Sequence, residues 1–372
     1  MSNIDGQIDN LRLKTDYLKS DVDSRVSLSG ALYKRAFYSG SLSEIQEALD
    51  HLYTAIKLAQ NDQQMLRKIY LLKATQELSL HRYRQAQISL KLAKNNGATQ
   101  LETQSIQADL DWNKGDYSSA IEFYSLAAKN SPNMHSIMRL AILKHQLGHF
   151  KQANDLYQKS ISMFQGANPV VYSWLLLQYG IHKLELNQLK KAKVIFSKAL
   201  SICPNYVLVL EHLGETEAKL ANTKRSIEIY EKVVQLSDNP EFKAQLSYQY
   251  RKLGKSHRAH KLLSQATKDY QKRVQKYPNA MGAHASSFFL ENDQKQLALS
   301  LLKTNLTIRP NSESYVALAE VQVKLNMLKQ AKLNLEKALK MPVVSANLCD
   351  LSQELKIEKS LVPNTCNSFK SL

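Results

Sequence analysis

A small residue, then an aromatic residue or leucine four places on, then another small residue three further on: this local pattern recurs along the whole chain. It reads Ala86, Leu90, Ala93; Ala120, Tyr124, Ala127; Ala153, Tyr157, Ser160; Ala192, Phe196, Ala199; Ser226, Tyr230, Val233; Ala259, Leu263, Ala266; Ala298, Leu302, Asn305; and Ala331, Leu335, Ala338. A fainter copy precedes these at Ala48, Leu52 and Ala55. Successive first members lie 38, 34, 33, 39, 34, 33, 39 and 33 residues apart. Offsets of four and three place all three side chains on one face of a helix. A period in this range is the mark of a repeat array, in which each unit buries its apolar face against its neighbours. Length alone leaves open whether 372 residues form several domains or one array; the period favours the array. Eleven glycines and eight prolines are few for so long a chain, which argues against an all-β or linker-rich protein.

The residues around this core add further order. A proline follows the small residue by twelve places at Pro132, Pro204 and Pro310, where it ends one unit and starts the next. Gly115 with Tyr117, and Gly148 with Phe150, mark turns in which glycine accepts the left-handed conformation that ends a helix. Leu210, Leu213 and Gly214 form a first-helix signature. Elsewhere the close-packing residue is Ala74, Ala108, Ala141, Gly180, Ser247, Ser286 or Ala319. Taken together, these features resemble the tetratricopeptide repeat family, whose unit is a helix, a turn and a second helix. The resemblance covers roughly residues 30 to 342 and is strongest between Leu101 and Val234. It implies an all-α fold, a right-handed α-solenoid of about nine helix-turn-helix hairpins. The longer steps place extra residues at Phe164 to Val171 and in a second helix running on to Tyr277.

The expected organisation is an N-terminal helix over residues 1–25, the array over 26–344, a capping helix over 345–359 and a flexible tail over 360–372. Ile4, Ile8, Leu11, Thr15, Leu18 and Val22 form a short heptad seam. It fits a helix folded back on the first hairpin or a dimerising coil. The capping helix is expected to bury Leu348, Leu351 and Leu355, with the last residues frayed. Cys203, Cys349 and Cys366 are an odd number without short-range pairing, so neither a disulfide framework nor a metal site is expected, and a reducing compartment fits best. Asp5, Asp9, Asp16, Asp21 and Asp23 stand where a secretory signal would be basic and apolar. The uncharged stretch from Gly166 to His182 is too short and too polar to span a bilayer. The expected location is cytoplasmic.

The resemblance implies that the first helices line a groove that binds peptides or helices of partner proteins. Its groove places fall on Asp109, Trp112 and Asn113; His135, Met138, His145 and Gln146; Trp174, Leu177, Leu184 and Glu185; Glu211, Glu215 and Lys219; and Tyr248, Arg251 and Lys252. Trp112 and Trp174 serve there either as anchors or as packing between hairpins. The family's best-known carboxylate clamp needs a lysine at the fifth place, where this chain has Leu71, Ser105, Met138, Leu177, Glu211, Ala244, Ala283 and Val316. A partner tail held by its C-terminal carboxylate is therefore not expected. The net charge of +17 implies attraction to something acidic. Its densest expression is a stripe of Arg258, Lys261, Lys268, Lys272 and Lys276, a solvated face or a site for an acidic protein, anionic lipid or RNA. No aromatic residues interleave with it for base stacking. No phosphate-binding loop, nucleophile elbow, HExxH or calcium loop occurs in the sequence. The expected function is a non-catalytic scaffold or adaptor that needs no cofactor or metal. Alternatives are an RNA-binding helical repeat or a peptide sensor whose superhelix tightens on its ligand.

Overall fold

The computed structural model describes residues 2–60, 62–166 and 168–370, and among them there is no β-strand. Among the described residues, helix α1 (Ser2–Tyr17) precedes eight helix pairs and the two helices α6 (Gln100–Asn113) and α7 (Tyr117–Asn130). The first pairs are α2 (Val22–Ser39) with α3 (Leu42–Ala59) and α4 (Gln63–Ser79) with α5 (Tyr83–Asn95), followed in the chain by α6 and α7. Next come α8 (Met134–Gln146) with α9 (Phe150–Ser162), α10 (Pro169–Glu185) with α11 (Leu189–Ile202), and α12 (Val207–Lys219) with α13 (Thr223–Leu236). The last three are α14 (Pro240–Lys252) with α15 (Ser256–Lys276), α16 (Pro278–Glu291) with α17 (Lys295–Ile308), and α18 (Ser312–Lys324) with α19 (Leu328–Leu339), followed by α20 (Ala346–Glu354). No helix is long and apolar enough to cross a membrane, among the described residues. Two compact units are distinguished, Met1–Asp111 with Lys276–Ala280 and Trp112–Gln275 with Met281–Leu372.

The recurrent pattern forms the core. Ala48, Leu52, Ala55, Ala86, Leu90, Ala93, Ala120, Ala153, Ala192, Phe196, Ala199, Ala331, Leu335 and Ala338 are wholly inaccessible to solvent. Only Ala127 and Leu263 of the pattern are partly open. In two copies the large member enters space left by a glycine of the preceding helix. Phe196 of α11 lies against Gly180 of α10, where an added methyl group would overlap the ring. Tyr230 of α13 lies against Gly214 of α12 at 3.0 Å from the place of such a methyl. Serines take the small places because their buried hydroxyls find carbonyls of the facing helix. Ser226 donates to Gly214 O at 2.9 Å, and Ser247 to Ala259 O at 2.8 Å.

The turn between the helices of a pair is also repeated. A backbone N–H reaches back five residues, from Arg82 to Glu77 O, His149 to Lys144 O, Gln188 to Lys183 O, Asn222 to Glu217 O, Lys255 to Tyr250 O, Gln294 to Phe289 O and Met327 to Gln322 O. These are helix-terminating bonds that need one left-handed residue. Glycine supplies it at Gly148 and Gly254, whereas His81, Asn187, Ala221, Asp293 and Asn326 adopt it with positive φ in other copies.

In the first unit, α1 lies on the first pair, with Ile8 buried among Leu28, Ala31, Leu32 and Ala48. Arg35 bonds Asp5 of α1 at 3.1 Å and Glu44 of α3 at 2.8 Å. Buried Glu77 takes a proton donor from both Lys73, at 2.5 Å, and Ser89. In the second unit the chain returns on itself. Ser312 N donates to Tyr117 Oη at 2.8 Å, Pro310 lies over Gly115, and Val344 N donates to Gln146 O at 2.8 Å.

The C-terminus differs from expectation in three ways. Helix α20 ends at Glu354, because Lys356 turns left-handed and Ile357 N closes on Ser352 O. Cys349 and Cys366 form a disulfide across 17 residues, where no bridge was expected; the turn at Lys356 reverses the chain and brings their Cα atoms to 5.4 Å. Where a flexible tail over 360–372 was expected, two short 3-10 turns, Lys359–Leu361 and Asn364–Cys366, form, with Cys366 buried beside Val344. The reducing-compartment argument rested on unpaired cysteines and loses that support; only Cys203 is free.

Two outcomes test this account. Gly180→Ala is expected to lower stability by about 1–3 kcal/mol through overpacking. Gly214→Ala, with more room, should be near neutral because alanine favours a helix by about 0.5–1 kcal/mol. Thermal unfolding of both variants checks the contrast. Ala221→Gly should raise stability by about 1 kcal/mol, because its φ of 61° strains any residue with a Cβ; an unchanged or lower midpoint would contradict this.

Candidate partner-binding face

The first helices of the second unit carry most of the expected groove residues, and the structure divides them. Met138 and Leu177 are 0% and 2% exposed, Met138 within the core of the α8–α9 and α10 packing, so neither is open to a ligand. Leu184 is buried as well. The fifth place is not buried in every unit, since Ser105 is exposed and Glu211 partly so; Met138 is lost to the groove because it packs with Ala141, Ala153, Tyr157 and Leu175. Asp109 is half-buried in the first unit. Trp112, His145, Trp174, Glu211, Glu215 and Tyr248 are partly exposed and Arg251 is exposed, all in the second unit.

Each tryptophan packs along one side. Trp112 meets the Tyr117 ring edge to face at 4.7 Å, and Trp174 covers the Met138–Tyr157 cluster while His135 lies 6.3 Å from its ring. Tyr248 accepts a hydrogen bond from Asn292 Nδ2 at 3.0 Å. Its hydroxyl is pushed up to about 12 by burial, so it stays a neutral phenol. Arg251 stands 5.3 Å from the Tyr248 ring centre.

Polar side chains of neighbouring first helices join across the pairs. His145 of α8 contacts Glu185 Oε2 through Nε2 at 2.5 Å and His182 Nδ1 through Nδ1 at 2.8 Å. His182, 1% exposed, is held neutral: burial, then the neighbouring His145 and Lys183, drive its pKa down to about 3. The sequence contains these residues far apart, and only the stacking of α8 on α10 makes them a group. In the sequence the histidines nearest one another are instead His145 with His149 and His257 with His260.

On α12, Glu211, His212 and Glu215 converge, with one potential ligand atom from each within 4.8 Å of the others. His212 Nδ1 is 3.2 Å from Glu211 and 3.5 Å from Glu215, and Lys219 Nζ is 3.2 Å from Glu215. Burial pushes Glu211 up to about 7, against the pull of His212. Burial also works against the His212 cation, yet Glu211 and Glu215 keep its pKa above the usual histidine value. Glu215 is brought below the usual carboxylate value despite burial, by His212 and Lys219. His212 thus stands between two carboxylates, of which Glu215 alone gains a second cation, Lys219. No metal was expected here; the signal for the cluster is the i, i+1, i+4 spacing on one helix.

The basic stripe lies elsewhere. Arg258, Lys261, Lys268, Lys272 and Lys276 are all exposed along α15. The remaining charges of that helix are consumed against α14 and its N-terminal approach: Asp269 pairs with Lys243 at 2.6 Å and Arg273 with Asp238 at 2.5 Å. Helix α11 is also purely basic, with Lys190, Lys191, Lys193 and Lys198. The positive charge therefore rides on second helices, whereas α10 and α12 show Glu185, Glu211 and Glu215.

Ionising Glu211 costs more in the folded chain than in the unfolded one, so stability falls as pH rises from 4.5 through about 7. Glu211→Gln should therefore gain stability relative to the wild type across that interval, as followed by denaturant unfolding at several pH values. A difference independent of pH would mean that Glu211 is ionised throughout.

Comparison with known proteins adds the following. Residues 312–342, the α18–α19 pair, match the family model described as tetratricopeptide repeat. Protein CTR9 homolog of Arabidopsis thaliana is 26% identical over 102 residues, 27% of this chain and only 9% of that protein's length. Among solved structures, the Cut9–Hcn1 hetero-tetramer of the APC/C is similar at 13% identity over 96% of this chain and 81% of its own, with a TM-score of 0.42. Yeast Tom70 is similar at 15% identity over 96% of this chain and 93% of its own, with a TM-score of 0.40.

Proposed function

The chain belongs to the tetratricopeptide-repeat family, and from that premise we propose that it is a non-catalytic scaffold that holds a partner segment along the first-helix residues of the second unit, from Trp112 through α8, α10, α12 and α14. The observation that carries this reading is the set of partly open side chains Trp112, Trp174, Glu185, Glu211, Glu215, Tyr248 and Arg251 on the first helices of one unit. Aromatic rings that are supported on one side and open on the other suit an extended segment or an amphipathic helix. The carboxylates of α10 and α12 suit a segment with basic side chains at that point, since like charges there would repel. Met138, with Leu175 and Tyr157, acts from below, as the packed floor on which Trp174 lies.

Affinity capture tests it. Trp112→Ala/Trp174→Ala/Tyr248→Ala is expected to lose a defined protein partner while retaining helicity by circular dichroism. Capture that survives in this variant would sink the reading.

A second reading is favoured by one observation, the exposed cations of α15. Among the described residues, Lys261, Lys268 and Lys272 have no carboxylate partner. Nucleic acid bound there would be held by its phosphates, so binding would fall steeply with salt. In that case nuclease treatment and Lys268→Glu/Lys272→Glu would abolish capture, whereas the aromatic substitutions would not.

A further inference from the structure

The C-terminal segment lies on the turn between α8 and α9. Val344 N donates to Gln146 O at 2.8 Å, at the end of α8. Thr365 lies over Gly148, where a methyl group would stand 3.0 Å from Thr365 Cγ2. Phe369 meets the Phe150 ring edge to face at 5.2 Å. Gly148 is covered in consequence, although it sits in a tight turn with φ of 78°. On its other side Phe150 contacts the ring of His145 at 5.3 Å, and His145 bonds Glu185.

What holds this segment is limited. After Leu355, the single fully buried residue among those described is Cys366. Neither 3-10 turn buries another side chain, and Lys356, Glu358, Lys359, Ser360 and Leu361 are exposed. Cys366 is tied to Cys349 of α20, which is itself buried and anchored in the stack of α18, α19 and α20 through Leu348 and Leu351. A covalent tie restricts the segment to a small volume around its docking surface. Without the tie, the few partly buried side chains of this segment would have to meet the entropy of ordering it.

We propose that the α8–α9 turn is a docking site occupied by the chain's own C-terminal segment, and that the Cys349–Cys366 disulfide is a redox-cleavable latch that keeps it occupied. Opening is thiol–disulfide exchange. The thiolates of a dithiol attack in turn, the protein gains two electrons and two protons as two thiols, and the dithiol leaves as a disulfide. Closing is the reverse exchange with a low-molecular-weight disulfide, which departs as two thiols. Reduction frees residues 356–370, uncovering Gly148 and Phe150 beside His145. The anchor helix α20 stays, because its own leucines hold it. This latch operates whether or not a partner binds the first-helix face.

Hydrogen–deuterium exchange read by mass spectrometry tests the proposal on the full chain, oxidised and after dithiothreitol, in a Cys203→Ser background so that thiol counting reports on the pair alone. The expected result is roughly tenfold faster exchange in residues 356–370 and in the 147–150 turn on reduction, with α10–α13 and α18–α20 unchanged. Cys366→Ser should reproduce the reduced pattern without reductant. Three results would overturn the proposal: two free thiols in the chain after oxidation, unchanged protection of the 147–150 turn on reduction, or a loss of protection that spreads through α18–α20. The last would make the bridge a staple of the fold.

Discussion

Each pair of helices depends on a large side chain of the second helix entering space kept open on the first. Phe196 over Gly180 and Tyr230 over Gly214 show it most directly. Interiors pack at near-crystalline density, so the approach of the two backbones is set by whichever residue stands at the small place. Alanine, glycine or a hydrogen-bonded serine are what the chain places there. Once that distance is set, the turn has little freedom, and the same bond back to the fifth preceding residue recurs even where histidine or alanine must take the left-handed conformation. Backbone strain at such turns is the consequence of the packing, which offsets it.

The helical pairs also sort charge. Second helices such as α11 and α15 turn rows of lysine and arginine outward, while α10 and α12 show carboxylates. A high net charge therefore describes one layer of this protein and not the face on which the tryptophans stand. In the interior, charges are matched locally: Glu77 with Lys73 and Ser89, and Glu217 with Lys193 and Asn222. Buried carboxylates of this kind are tolerated because each finds donors. Glu211 is the partial exception, and its raised pKa is the measure of an incomplete match. The C-terminal segment solves a different problem, since it has too little apolar surface to hold itself and relies on a covalent tie to α20.

The amino-acid sequence by itself determined the helices, their pairing, the small and large members of the core and the exposed stripe on α15. Those follow from residues a few places apart, for which helical geometry is fixed. The tertiary structure alone decided which groove-place side chains remain in solvent. Met138 and Leu177 share the helical phase of exposed neighbours and are nonetheless buried by the adjoining pair. It alone joined His145 to His182 and Glu185, and Tyr117 to Ser312 across 195 residues. It also paired Cys349 with Cys366, by way of a left-handed turn at Lys356 that no residue type there announces. The reason is common to all of these: periodicity encodes the face a residue occupies, whereas a contact between distant residues depends on how successive pairs stack, and that is set by packing distances.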